Sequence, residues 1–257
     1  MVSDVPALLL LLGLIVLIGG GAALIQLYIR HRFPRLTQGA HNDATKFAVG
    51  VIAAVYAFFL GFVVSAMWGQ TNDADAKVQT EGAAGVQLAR DSTVFDKADS
   101  DRIRQSLLEY ERAAEGEWSA AARGHFLPEA DDALHRVYTT YEEVQPRTDA
   151  QNTMLDRSFT NLDRVSRART ERVLLARGNT GPPWPLWTVI LLTSGLVLGG
   201  AIVYGVKQPA MHYPMVLTVG VLVASQLFLI LELSHPFIGV VAASPAPLQE
   251  AAHAASG

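Results

Sequence analysis

Residues 47–68 read FAVGVIAAVYAFFLGFVVSAMW, an apolar stretch that contains no Lys, Arg, Asp or Glu. A helix of this length, at ~1.5 Å per residue, crosses a hydrocarbon core of about 30 Å. Three further apolar blocks of similar length occupy residues 6–29, 184–204 and 213–231. We therefore predict an all-α integral membrane protein with four transmembrane helices arranged as two hairpins.

The charged residues are concentrated between the two hairpins. Residues 71–183 contain 15 of the 20 Lys and Arg residues and 20 of the 24 Asp and Glu residues. The predicted organisation is a first hairpin (1–70), a helical extramembrane domain (71–183), a second hairpin (184–232) and a short Ala/Pro-rich tail (233–257). The acidic excess argues against a nucleic-acid partner. The absence of cysteine excludes thiol catalysis and Cys-ligated metals.

The first apolar block has an alternative interpretation as a signal peptide. Asp4 has no Lys or Arg before it, and the apolar run is longer than such a peptide needs. These features favour a retained membrane helix.

Loop charges predict the orientation of the protein. The linker after the first helix contains Arg30, Arg32, Arg35 and Lys46, and Lys207 lies between the last two helices. Because basic loops tend to remain cytoplasmic, this distribution predicts that the middle domain and both termini are extracytoplasmic.

The middle domain shows helical spacing of apolar residues. The pattern predicts four helices, over residues 72–95, 100–119, 129–144 and 152–176, of which the first may extend the second membrane helix. Four amphipathic helices of this length can close a bundle.

Signatures of enzymes and cofactor sites are missing from the sequence, so we predict no catalytic, cofactor-binding or metal-binding residues. The best local metal geometry is Asp131 with His135, four residues apart on one predicted helix. Acidic residues are expected in a first helical turn, so a solvated helix start explains this pair better.

The second membrane helix has one face that could line a pore. At ~100° per residue, this face comprises Val51, Ala54, Phe58, Phe62 and Ser65. A ring of Phe side chains from several subunits would form a hydrophobic constriction for ions. The alternative is that these side chains contact lipid or a neighbouring helix.

Two further sets of residues are candidates for function. Glu232 ends the last membrane helix, and with His235 it could form the mouth of an ion pathway, although an acid at a membrane edge can also simply contact water. Small residues spaced to let helices pack closely are Gly61, Gly69, Gly195, Gly199 and Gly220.

Two groups of residues form motifs near the two ends of the chain. The opening motif includes His41-Asn42-Asp43, residues 56–64 (YAFFLGFVV), Trp68, and Glu81 with Ala83-Ala84. The closing motif is His235-Pro236-Phe237-Ile238-Gly239, followed by Ser244-Pro245-Ala246-Pro247-Leu248. Together these motifs resemble those of the bacterial bestrophin-like family. Ser234-His235 and Ile238 depart from the Asp-Arg-Pro-Phe-Ser-Gly run that is more usual in that family.

This resemblance implies a homo-oligomeric, ring-shaped ion channel in a lipid bilayer, with Phe58 and Phe62 as the nearest candidates for its apolar neck. It also implies a cytosolic middle domain, opposite to the prediction from loop charges. The alternative function is a receptor or scaffold subunit with an extracytoplasmic four-helix sensory domain and no enzymatic activity.

Overall fold

A computed structural model describes residues 6–33, 42–121, 125, 127–178, 181–203 and 209–257. Every regular element in these ranges is helical, which confirms the all-α prediction. The helices are α1 (Ala7–Leu14), α2 (Gly21–Arg32), α3 (Asn42–Asp91), α4 (Lys97–Ala121), α5 (Pro128–Glu142), α6 (Asp149–Arg177), α7 (Trp184–Val203), α8 (Pro209–Leu233) and α9 (Ala246–Ser256). A π-helical segment, Ile15–Gly20, joins α1 to α2, and a 3-10 turn, Ser92–Val94, follows α3.

Some residues used in the sequence analysis lie outside the described part of the chain. These are Asp4, Arg35, His41, Lys207 and Tyr204, the last residue of the third apolar block, together with the side chains of Asn42, Asp43 and Lys46.

The chain forms two compact units, and the first consists of residues 1–69 and 181–234. Its four helices, Ala7–Arg32, α3 from Phe47, α7 and α8, are long and apolar enough to cross a membrane, which confirms the four predicted spans. The membrane helix Ala7–Arg32 packs on α8 through glycine residues. A Cβ atom added to Gly220 would lie 2.7 Å from the Cα atom of Gly19. This absence of side chains lets the two backbones approach closely.

The second unit consists of residues 70–180 and 235–257. It contains the C-terminal part of α3, which is continuous with the second membrane helix, together with α4, α5, α6 and α9. Thr148 caps the start of α6, where its hydroxyl accepts a hydrogen bond from the Gln151 backbone N–H. In return, the Gln151 side chain accepts one from the backbone N–H of Arg147. This pairing satisfies donors that the helix start leaves free.

The Ala/Pro-rich end of the chain forms a helix that was not predicted. In α9, Leu248, Ala251 and Ala255 are buried, and α9 packs against α4. The spacing of three and four residues places the three side chains on one face. The C-terminal residues are therefore an integral part of the second unit.

Candidate functional site

The predicted pore-lining face of α3 is exposed within the single chain. Phe58 is 82% exposed and Phe62 is 69% exposed, which is unusual for side chains of this size. Val51, Ala54 and Ser65 on the same face are exposed as well. Within one chain, this aromatic surface has no cover, and it is available to lipid or to another subunit.

The opposite face of α3 anchors the helix within the membrane unit. Tyr56, Leu60, Val63 and Met67 are all buried. The hydroxyl groups of Tyr56 and Ser194, a buried residue of α7, lie 3.1 Å apart and share a hydrogen bond. Because this face is packed and bonded, the rotation of α3 that exposes the two Phe side chains is held by the subunit itself.

The predicted packing glycines fall into two groups. Gly220 lies at the close approach between α8 and the first membrane helix. Added Cβ atoms on Gly61, Gly69, Gly195 and Gly199 would meet nothing within 4 Å. These four glycines thus face open space within one chain, and their role in packing between subunits stays a prediction.

The two residues predicted at a pathway mouth, Glu232 and His235, lie on either side of the end of α8. Glu232 is half-buried in the last turn of α8, and His235 is exposed at the start of the closing segment. Both make interactions within the protein. Their role at a pathway mouth stays a prediction.

A buried ion-pair network in the second unit is the most strongly constrained polar feature of the described chain. Arg172 of α6 is 1% exposed and donates two hydrogen bonds to the fully buried Glu81 of α3, at 2.7 and 3.1 Å. The Tyr110 hydroxyl donates a third to Glu81, at 2.7 Å. Burial lowers the pKa of the Arg172 guanidinium, but the acidic groups around it, with Glu81 foremost, together outweigh burial, so the pKa is raised. Burial and the Glu81 charge also raise the pKa of Tyr110 well above its usual value.

The network continues through a second arginine. Arg169 donates to both oxygens of the buried Glu117, at 2.9 and 3.2 Å, and to Asp131 at 2.9 Å. Arg172 reaches Glu117 at 3.4 Å and so joins the two halves of the network. Asp131 thus has an arginine partner, and no cluster of three metal-ligating side chains occurs among the described residues. The ion pair with Arg169 accounts for Asp131, whereas His135 is exposed.

The closing motif completes this site. The Phe237 ring packs edge-on against Trp118, with ring centroids 5.2 Å apart, and the Arg172 guanidinium lies 5.7 Å from the centre of the Trp118 ring. Gly239 has a φ of 111°, a conformation that favours glycine. These contacts give the Pro-Phe-x-Gly core a structural role, because they set an aromatic cover over the ion pairs.

The opening and closing motifs also meet directly. A Cβ atom added to Gly82 would lie 2.7 Å from the Cβ atom of Pro247. Gly82 follows Glu81 in the opening motif, and Pro247 belongs to the closing one. Sequence reasoning quoted both motifs but did not predict that they touch.

Sequence reasoning also missed the ion-pair network itself. In the sequence, Arg169 falls at helical spacing in line with apolar residues of the predicted 152–176 helix, such as Leu162 and Val165. This was the one visible signal, since a charged residue on a buried face needs a partner. The partners could not be identified from a single sequence, because Arg169 and Glu117 are 52 residues apart and Arg172 and Glu81 are 91 residues apart.

Fold and site together define an α-helical membrane protein whose second unit is a helical bundle that contains buried ion pairs. The model of the bestrophin-like domain matches residues 16–248, and the chain belongs to the bestrophin-like family. A search among curated proteins found no match.

Solved structures share the fold at low sequence identity. One variant of a bacterial bestrophin homolog from Klebsiella pneumoniae is 15% identical, with a TM-score of 0.73 over 98% of this chain and 99% of that one. A second variant is also 15% identical, with a TM-score of 0.70 over 97% of each chain. A third is 16% identical, with a TM-score of 0.67 over 97% of this chain and 95% of that one. These likenesses confirm the fold across nearly the whole chain.

Proposed function

We propose that this protein is one subunit of a homo-oligomeric ion channel whose pore is lined by α3. The observation that carries the proposal is the exposure of Phe58 and Phe62 on one face of a membrane helix whose other face is packed and hydrogen-bonded. Membership of the bestrophin-like family supports it, because the resemblance to bestrophins implies a ring-shaped channel.

The proposed mechanism is a hydrophobic constriction. Phe58 and Phe62 are four residues apart, so in a symmetric ring they would form two stacked aromatic layers. Such a neck excludes water when narrow, and it favours weakly hydrated ions over strongly hydrated ones because the latter lose more hydration energy on entry. Conduction needs no bond-making residues, and we propose that the protein has no enzymatic activity.

The remaining candidate residues have proposed roles around this pore. Glu232 and His235 would lie at one mouth of the ion pathway. The glycines that face open space in the single chain would let neighbouring subunits pack closely; they are Gly61, Gly69, Gly195 and Gly199. Residues 1–70 and 184–232 would lie in the bilayer, and residues 71–183 in water.

The side of the membrane that holds the middle domain needs its own experiment. Loop charges predict the extracytoplasmic side, and the family resemblance implies the cytosol. Because the chain has no cysteine, a single Cys replacing Asp101, an exposed residue of α4, would report the side through labelling of intact cells by a membrane-impermeant thiol reagent. The channel proposal holds with either result.

Ion flux in liposomes tests the proposal. We expect Phe58→Ala and Phe62→Ala each to change the flux or the ion preference several-fold, because each widens one aromatic layer. The matched control is Leu192→Ala, which truncates a 61% exposed side chain of α7 and should leave the flux unchanged.

Images of purified particles provide a second test. A symmetric ring with a central axis is the expected result. A monomer, or unaltered flux in both Phe variants, would contradict the proposal. A stable complex with another membrane protein and no flux would instead support the receptor or scaffold function.

A further inference from the structure

Glu111 of α4 is a buried acid without a counter-ion of its own. It is 1% exposed, and neither carboxylate oxygen has a hydrogen-bond partner within the described part of the chain. The two buried arginines are committed elsewhere, since Arg172 binds Glu81 and Glu117, and Arg169 binds Glu117 and Asp131. A buried carboxylate in this situation is costly in its charged form.

The Glu111 carboxyl lies where three helices of the second unit meet. A Cβ atom added to Gly85 of α3 would overlap the Oε1 atom of Glu111 and would lie 3.0 Å from the Cβ atom of Ala251 in α9. Gly85 therefore leaves the space in which the carboxyl and α9 pack together. Ala251 is itself 1% exposed, so α9 is part of the cover that keeps water from Glu111.

The surrounding charges favour the neutral form of Glu111. Burial raises its pKa well above the usual value, the Glu81 charge on α3 raises it further, and the Arg172 charge on α6 opposes both. The neighbouring Tyr110 on α4 donates its hydroxyl to Glu81. The two titratable side chains of α9, Glu250 and His253, are exposed, and α9 presents the apolar Ala251 to this site.

We propose that Glu111 is a proton-controlled latch for the C-terminal helix: α9 stays docked while the carboxyl is neutral, and ionisation releases it. Release would admit water to the carboxylate, which removes the penalty of its burial. The latch is independent of the proposed pore, because every residue that forms it belongs to the second unit.

The direction of the pH dependence follows from linkage. A carboxyl whose pKa is higher in the docked state binds more protons docked than undocked, so docking is strongest below the undocked pKa, near ~4.3, and weakens as the pH rises toward the docked value. Between these two values the undocking equilibrium should shift by up to about tenfold per pH unit. Above the pKa of the docked state, the undocking equilibrium should no longer change with pH.

Cysteine labelling of the full chain in detergent measures this equilibrium. A single Cys replaces Ala255, a buried residue of α9, and a reference Cys replaces the exposed His253 in a separate protein. The ratio of the two labelling rates by a maleimide cancels the pH dependence of the thiol. We expect this ratio to rise with pH in the protein that retains Glu111.

Two glutamine variants identify the titrating group. Glu111→Gln, whose amide has the shape of the neutral acid, should give a low ratio that does not change with pH. Glu109→Gln makes the same change at an exposed position of α4 and should behave like the parent protein. The latch would be overturned if the labelling ratio of the parent protein did not change with pH, or if it changed with pH equally in Glu111→Gln.

Infrared spectroscopy keeps the inference testable if Glu111→Gln fails to fold. The unmodified protein should show the carbonyl stretch of a protonated carboxyl at pH values where exposed carboxyls are already ionised, and this band should disappear as the labelling ratio levels off at higher pH. Absence of such a band at every pH at which exposed carboxyls are ionised would overturn the latch without any variant.

Discussion

Arg172→Met is the substitution that most directly tests the ion-pair network. It deletes the two hydrogen bonds to Glu81 and the longer bond to Glu117, and it removes the guanidinium beside the Trp118 ring. Glu117 keeps both of its bonds from Arg169. The loss therefore falls mainly on Glu81, for which the described residues then supply only the Tyr110 hydroxyl.

The expected loss of stability is large because Glu81 and Arg172 are both buried. Removing one partner of a buried pair typically costs about 3–5 kcal/mol, since the other charge is left uncompensated. Tyr110 still bonds Glu81, so we expect the lower part of this range. Replacing both partners, with Arg172→Met and Glu81→Gln together, should recover part of the loss, with a coupling of about 1–3 kcal/mol.

Urea unfolding in detergent, followed by far-ultraviolet circular dichroism, measures these free energies. The control is Arg102→Met, which removes a 49% exposed arginine and its two ion pairs, with Asp99 at 2.6 Å and with Glu143 at 2.8 Å. Exposed pairs contribute at most about 1 kcal/mol, so this variant should differ little from the parent. If Arg172→Met lost no more stability than Arg102→Met, or if the double variant showed no coupling, the network would not stabilise the bundle as argued.

Two further predictions follow from the same structure. Gly220→Ala places a Cβ atom 2.7 Å from the Cα atom of Gly19 and should destabilise the subunit by about 1–3 kcal/mol in thermal unfolding, whereas Gly195→Ala meets nothing and should leave the subunit's stability unchanged. Burial and a hydrogen bond to Asp163 raise the pKa of Tyr138 to about 12, so an absorbance titration should lose a step near that pH in Tyr138→Phe. Tyr138 thus favours the folded state below pH ~10, and this contribution is lost as the pH rises toward 12.

The helical layout could be predicted because it depends on local patterns. Apolar blocks longer than a bilayer is thick, with Trp68 and Trp184 at their ends, indicated the membrane helices directly. The predicted helix over residues 152–176 lies within α6, which begins three residues earlier at Asp149. Thr148 and Gln151 in the sequence could have predicted this helix start, because an N-cap depends only on residues close together in the chain.

Packing of the C-terminal segment could not be predicted in the same way. An Ala/Pro-rich composition indicates low complexity, whereas α9 owes its order to contacts of Leu248, Ala251 and Ala255 with the rest of the second unit. Most helical stability comes from such tertiary packing when a helix is this short. The reason for a glycine at position 82 is also tertiary, because Pro247 leaves no room there for a Cβ atom.

The sequence by itself determined which residues enter the bilayer, because hydropathy adds up along a continuous stretch of chain and needs no distant partner. It also determined the two faces of α3, which follow from helical periodicity. Only the tertiary structure decided that Arg172 neutralises Glu81 and that Glu111 is left without a cation. These outcomes depend on side chains far apart in sequence that share one dry interior, where the strength of an ion pair is set by geometry and burial.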